Sequence, residues 1–153
     1  MKKLSQYFLL LSMVIFLSAC STPSLNIPFG KKVKKEYFTG GELKSELIMD
    51  DNSGQNGLLK QYGYDGKLTS VVQVHNGVRD GIETLYDARG RILRKTPYVN
   101  GKKNGVLKVF YPNGDVLAAI TYLNDTKNGK AIKYNKNGSV NEKAMFQQGK
   151  RID

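Results

Sequence analysis

From Val116 to Leu123 the chain reads Val-Leu-Ala-Ala-Ile-Thr-Tyr-Leu, with Val116, Ala118, Ile120 and Tyr122 on alternate positions. That two-residue period predicts a strand. The same column recurs at Leu68, Ser70, Val72 and Val74, at Ile92, Arg94, Thr96 and Tyr98, and at Val140, Glu142, Ala144 and Phe146. Shorter runs lie between them, at Leu58 to Tyr62, Ile82 to Tyr86, Val106 to Phe110 and Lys130 to Tyr134, and predict a second set of strands. Their closing aromatics, Tyr62, Tyr86, Phe110 and Tyr134, stand 24 residues apart, each followed four residues later by a glycine. A degenerate fifth copy is marked by Phe38 and Gly57, each 24 residues before its counterpart. No stretch after residue 36 has a helical period, so the chain reads as all-β and repetitive.

The connections fit that reading. In "YPNGDVL", Pro112 sets the φ of a corner, and Asn113 and Gly114 tolerate positive φ, which predicts a three-residue hairpin loop with a bulge. The second loop begins at Gly77, Gly101, Asp125 and Gly149 and ends at Gly81, Gly105, Gly129 and Asp153. Pro97 falls inside a strand and has no N–H for the ladder, so a bulge or a locally unpaired position is expected there.

In such a sheet a repeated position becomes a ladder in space. Arg79, Lys103, Lys127 and Arg151 form a basic ladder, and Tyr98, Tyr122 and Phe146 an aromatic one beside the Tyr62 column. The rings suit either packing between units or a binding face. The cations suit either solvated loops or an anionic partner. Arg79, Lys103, Lys127, Arg151, Tyr98 and Tyr122 are the candidate interaction surface.

Composition narrows the chemistry. The 153 residues carry a formal net charge of +11, one histidine, His75, and one cysteine, Cys20. That inventory cannot assemble the usual metal sites or Cys/His catalytic sets within one chain, so no enzyme, no cofactor and no small-molecule substrate is expected. His75 has no counterpart in the other units, and Asp50 and Asp51, the one adjacent acidic pair, read as turn residues.

The N-terminus reads as an address. Lys2 and Lys3 precede an apolar run from Tyr7 to Leu17, too short to span a bilayer and of the length of a signal sequence. "LSAC", Leu17 to Cys20, resembles the lipobox of bacterial lipoproteins. The resemblance implies cleavage between Ala19 and Cys20, with diacylglycerol on the sulfur and a fatty acyl group on the nitrogen, palmitate being a typical chain. Several acyl chains make such attachment effectively permanent. Ser21 after the cysteine implies the periplasmic side of the outer membrane if the host is Gram-negative. Residues 20–36, with two prolines and then Lys31, Lys32, Lys34 and Lys35, read as a flexible basic tether.

The unit Tyr111 to Tyr134, with its aromatic, Pro-Asn-Gly, tyrosine and Asn-Gly-Lys, resembles the bacterial variant of the MORN repeat. The resemblance implies tandem β-hairpins in one extended, twisted antiparallel meander sheet over residues 37–153, following a signal helix at 1–19 and the linker. The function expected is a membrane-anchored envelope lipoprotein whose sheet is a protein-interaction or scaffold module for an envelope protein not identified by the sequence. An antitoxin or immunity-type inhibitor, and an anionic-lipid-binding module, are the alternatives. Nucleic acid is not expected as a partner of an exported, anchored chain.

Overall fold

The computed structural model describes residues 30–153, so the expected signal helix, Ala19, Cys20 and the first part of the tether lie outside the described residues. Within them every regular element is a strand: β1 (Val33–Tyr37), β2 (Leu43–Met49), β3 (Gly57–Tyr62), β4 (Leu68–His75), β5 (Val78–Arg79), β6 (Gly81–Tyr86), β7 (Ile92–Val99), β8 (Lys102–Lys103), β9 (Gly105–Phe110), β10 (Val116–Leu123), β11 (Thr126–Tyr134), β12 (Val140–Gln147) and β13 (Lys150–Arg151). They form one open antiparallel sheet whose order follows the chain, with the two-residue strands β5 and β8 pairing β4 and β7. This is the meander expected from the two-residue period. The expected tether gives way earlier than its predicted boundary, because Val33 to Glu36 pair with Ile48 to Ser45 as part of β1.

The turns repeat in detail. Tyr111 N–H donates to the Asp115 carbonyl and Gly114 N–H to that of Tyr111, at 2.8 and 2.9 Å, enclosing the three-residue loop Pro112 to Gly114. The same pair of bonds closes the loops at Gly63, Asp87 and Asn135. Beside each loop the register slips by one, as at Gln61/Tyr62 and Leu85/Tyr86, which is the predicted bulge. In the first hairpin the closing bond is from Phe38 N–H to the Glu42 carbonyl, and Tyr37 pairs with Leu43 as Tyr62 pairs with Leu68. Tyr37, not Phe38, is thus the structural counterpart of Tyr62. The offset of one residue is absorbed in the β2–β3 loop, where Asp51 accepts from Ser53 N–H and Oγ and from Asn56. The opposite loops are two-residue turns with both centres left-handed, Asn76 and Gly77 at φ 50° and 76°. Pro97 is the locally unpaired position expected: it pairs with Ile82 on one edge, but on the other the β7–β9 ladder stops at Lys95 and pairing resumes in a shifted register at Tyr98 with Lys103.

Cross-strand register assigns the two faces. One, the ladder face, runs in its middle row from Leu59 through Val72, Glu83, Thr96, Leu107, Ile120 and Ala131 to Ala144. Val72 and Thr96 are fully buried at its centre, with Ser70, Val74, Tyr98 and Leu107 buried around them. On the reverse face Ile48 and Lys60 are buried, and Tyr62 Oη donates to Glu46 Oε2 at 2.8 Å. Burial first, and that carboxylate second, push the Tyr62 phenol up to about 12. A phenol held neutral in the fold contributes stability that is full below its unfolded pKa of about 10 and is lost as pH rises towards 12. Tyr62→Phe is therefore expected to flatten the alkaline limb of a stability profile between pH 10 and 12 without changing it near pH 7 beyond the loss of one hydrogen bond, as read by urea unfolding at each pH.

Candidate interaction surface

The basic and aromatic ladders meet on the ladder face. Each ring lies directly across from a glycine, Tyr98 from Gly81, Tyr122 from Gly105 and Phe146 from Gly129. The cation of the preceding unit extends over it: Arg79 Cζ is 5.4 Å from the Tyr98 ring centroid, Lys103 Nζ 5.4 Å from that of Tyr122, and Lys127 Nζ 5.0 Å from that of Phe146. Each such contact contributes about 0.5–1 kcal/mol at a partly exposed site. The two ladders therefore stitch successive units together, and their cations stay partly in solvent. Arg151 instead pairs with Glu142 at 3.4 Å and Asp153 at 3.1 Å. Of the candidate rings Tyr98 is buried, whereas Tyr122 is half-buried.

The loops that carry the cations are joined as well. Gly101 N–H donates to the Arg79 carbonyl, Asp125 N–H to that of Lys103 and Gly149 N–H to that of Lys127, at 2.8 to 3.0 Å. Asp125 departs from the glycine of its column yet sits at φ 67°. Its carboxylate accepts the Lys103 N–H at 2.8 Å, which offsets the strain of a left-handed non-glycine residue.

One unit breaks the apolar rows. Glu83 stands where its neighbours carry Leu59 and Leu107, and only 6% of it is exposed. Arg79 Nε lies 3.2 Å from Glu83 Oε1, Arg94 Nη2 3.8 Å from Oε2, and Tyr98 Oη donates to Oε2 at 3.5 Å. Burial and then the Glu83 charge raise the Tyr98 phenol. Thr96 Oγ1 and Arg94 Nε are buried there without a hydrogen-bond partner among the described residues. Comparing columns at the 24-residue spacing is the signal that would have singled out Glu83, Arg94 and Thr96, since Leu107, Ala118 and Ile120 hold the same places one unit later.

Towards β12 the side chains on this face shrink. Ala118, Ala131 and Ala144 take positions held elsewhere by Arg94, Leu107 and Thr96, and a groove of about 320 Å³ opens over them and Ile120. Its rim carries Lys133 at the end near the three-residue loops, and Lys127 and Arg151 at the opposite end. His75, at the exposed end of β4, is not part of this face's groove or polar cluster.

No curated protein matches the chain. Residues 103–124, from Lys103 through the Pro112–Gly114 turn to the end of β10, match the MORN repeat variant family.

Proposed function

We propose that this chain is a lipid-anchored protein of the bacterial cell envelope, built of tandem MORN-type units, whose ladder face binds another envelope protein. It works by holding a partner and not by making or breaking bonds. The observation that carries this reading is the ladder face itself: one continuous surface in which backbone, rings and cations repeat, interrupted by a buried charge cluster and an open groove. Although its centre is buried, this face keeps partly solvated cations along its edge and an open groove towards β12, which offer the pattern that interfaces use. The anchoring rests on the lipobox-like "LSAC" before Cys20.

Labelled palmitate is expected to enter the wild-type chain and not Cys20→Ser. Formaldehyde treatment of intact cells is expected to yield a discrete adduct of the wild-type chain that weakens several-fold in Cys20→Ser, which is released from the bilayer. Palmitate incorporation that survives the substitution contradicts the anchor, and the absence of any adduct in anchored protein contradicts the interaction.

A further inference from the structure

We propose that the groove floored by Ala118, Ala131 and Ala144 binds an extended acidic segment of a partner protein, one that presents an apolar side chain between two carboxylates. The inference rests on the interaction reading above and names the chemistry of its partner. The floor is apolar because three alanines and Ile120 share it, and it is open because the larger residues of the same columns are absent. At about 320 Å³ it lies at the small end of ligand clefts, a size suited to a side chain delivered by a larger body that covers the rim.

Charge placement selects the occupant. Lys127 and Lys133 lie across from Tyr122 and Ala118, four positions apart on β10 because β11 bulges between them, about 13 Å of extended chain with the alanine floor between them. Arg151, across from Phe146 at the Lys127 end, is paired with Asp153 and reaches Glu142, which lies across from Lys133, so these two carboxylates offset part of a rim that stays cationic through Lys127 and Lys133. An amphiphile with one anionic head would neutralise one end and lay its tail against the cations of the other. A strand with carboxylates four residues apart meets both ends, and the residue midway between them turns an apolar side chain onto the floor.

The chain contains six alanines, so methyl-labelled alanine reports on the groove directly. Ala118, Ala131 and Ala144 line it, while Ala119, on the reverse face, and Ala88, in a turn, are internal controls. The full chain in zwitterionic nanodiscs would be titrated with the peptide Ser-Glu-Ser-Leu-Ser-Glu-Ser, with its counterpart carrying Lys in place of both Glu, and with decanoate. The proposal expects saturable shifts at Ala118, Ala131 and Ala144 with the acidic peptide, at least tenfold weaker binding of the lysine peptide, and little effect of decanoate. Ala131→Leu, which restores the residue type of Leu59 and Leu107, should keep the fold and weaken binding at least tenfold. Lys133→Glu should narrow the preference between the two peptides. Equal response to both peptides, response to decanoate alone, or silence of the groove methyls each overturns the proposal. If an envelope adduct still forms in that case, the interaction reading stands and its partner binds elsewhere; if none forms, both fail.

Discussion

Arg79→Ala is expected to lower stability by about 2 kcal/mol, whereas Lys103→Ala, at the same position one unit later, is expected to lower it by about 0.5–1 kcal/mol. Both lose a cation over a ring, at 5.4 Å in each case. Only Arg79 also serves a buried carboxylate, Glu83, whose side chain is 7% exposed. Removing it leaves Glu83 with Arg94 at 3.8 Å and a long bond from Tyr98. Breaking a fully buried pair costs about 3–5 kcal/mol, and the expectation is set lower because Arg79 is itself 45% exposed. Glu83→Leu is expected to be neutral or up to about 1 kcal/mol stabilising, since Leu59 and Leu107 fill the same column and both arginines can turn to solvent. In that background Arg79→Ala should fall to the value of Lys103→Ala. A double-mutant cycle by urea unfolding reads the difference, and equal costs for the two cations in the wild type would refute the special role of Glu83.

The second large effect is at Gly105. It holds φ 113° where the loop after β8 enters β9, a backbone that side-chain-bearing residues rarely adopt. A Cβ there would lie 3.1 Å from Pro97 Cγ. Strain and contact together set an expected loss of about 3 kcal/mol for Gly105→Ala. Gly114→Ala, at φ 95° with open space around the added carbon, carries the strain alone and should cost about 1–2 kcal/mol. Because each unit pairs only with its neighbours, such losses are expected to appear first as local fraying about β7 to β10, visible as faster amide exchange there than in β3 and β4.

Much of this architecture was legible in the chain. The 24-residue period, the alternating columns and the Pro-Asn-Gly turn place the strands from β3 onwards, because two-residue alternation and turn chemistry are local signals. The first hairpin was misaligned by one residue. Phe38 and Tyr37 are adjacent aromatics, and periodicity chose the wrong one because the extra residue lies in a loop with no counterpart in later units. Pro97 was legible as a locally unpaired position: its missing donor is harmless because the β7–β9 ladder ends at Lys95 and pairing resumes only at Tyr98 with Lys103.

The candidate surface was only half legible. The cations and rings were visible as columns, but their mutual packing depends on how far a side chain reaches across a glycine to the next unit. Periodicity does not single out Glu83 and the three alanines, because it marks the positions that recur. In a repeat array the informative positions are also those that fail to repeat, since a polar or small residue in an apolar row gives up packing that its neighbours keep.

The most direct test of the ladder face as the working surface uses two consecutive residues. Ala118 and Ala119 are adjacent in β10 and point to opposite faces. A photo-reactive amino acid placed at each position in turn, in living cells, samples the two faces at nearly the same point in the sheet. Cross-linked adducts from position 118, and few or none from 119, are the result expected. Adducts from 119 alone, or equally from both, would contradict a surface that binds through one face.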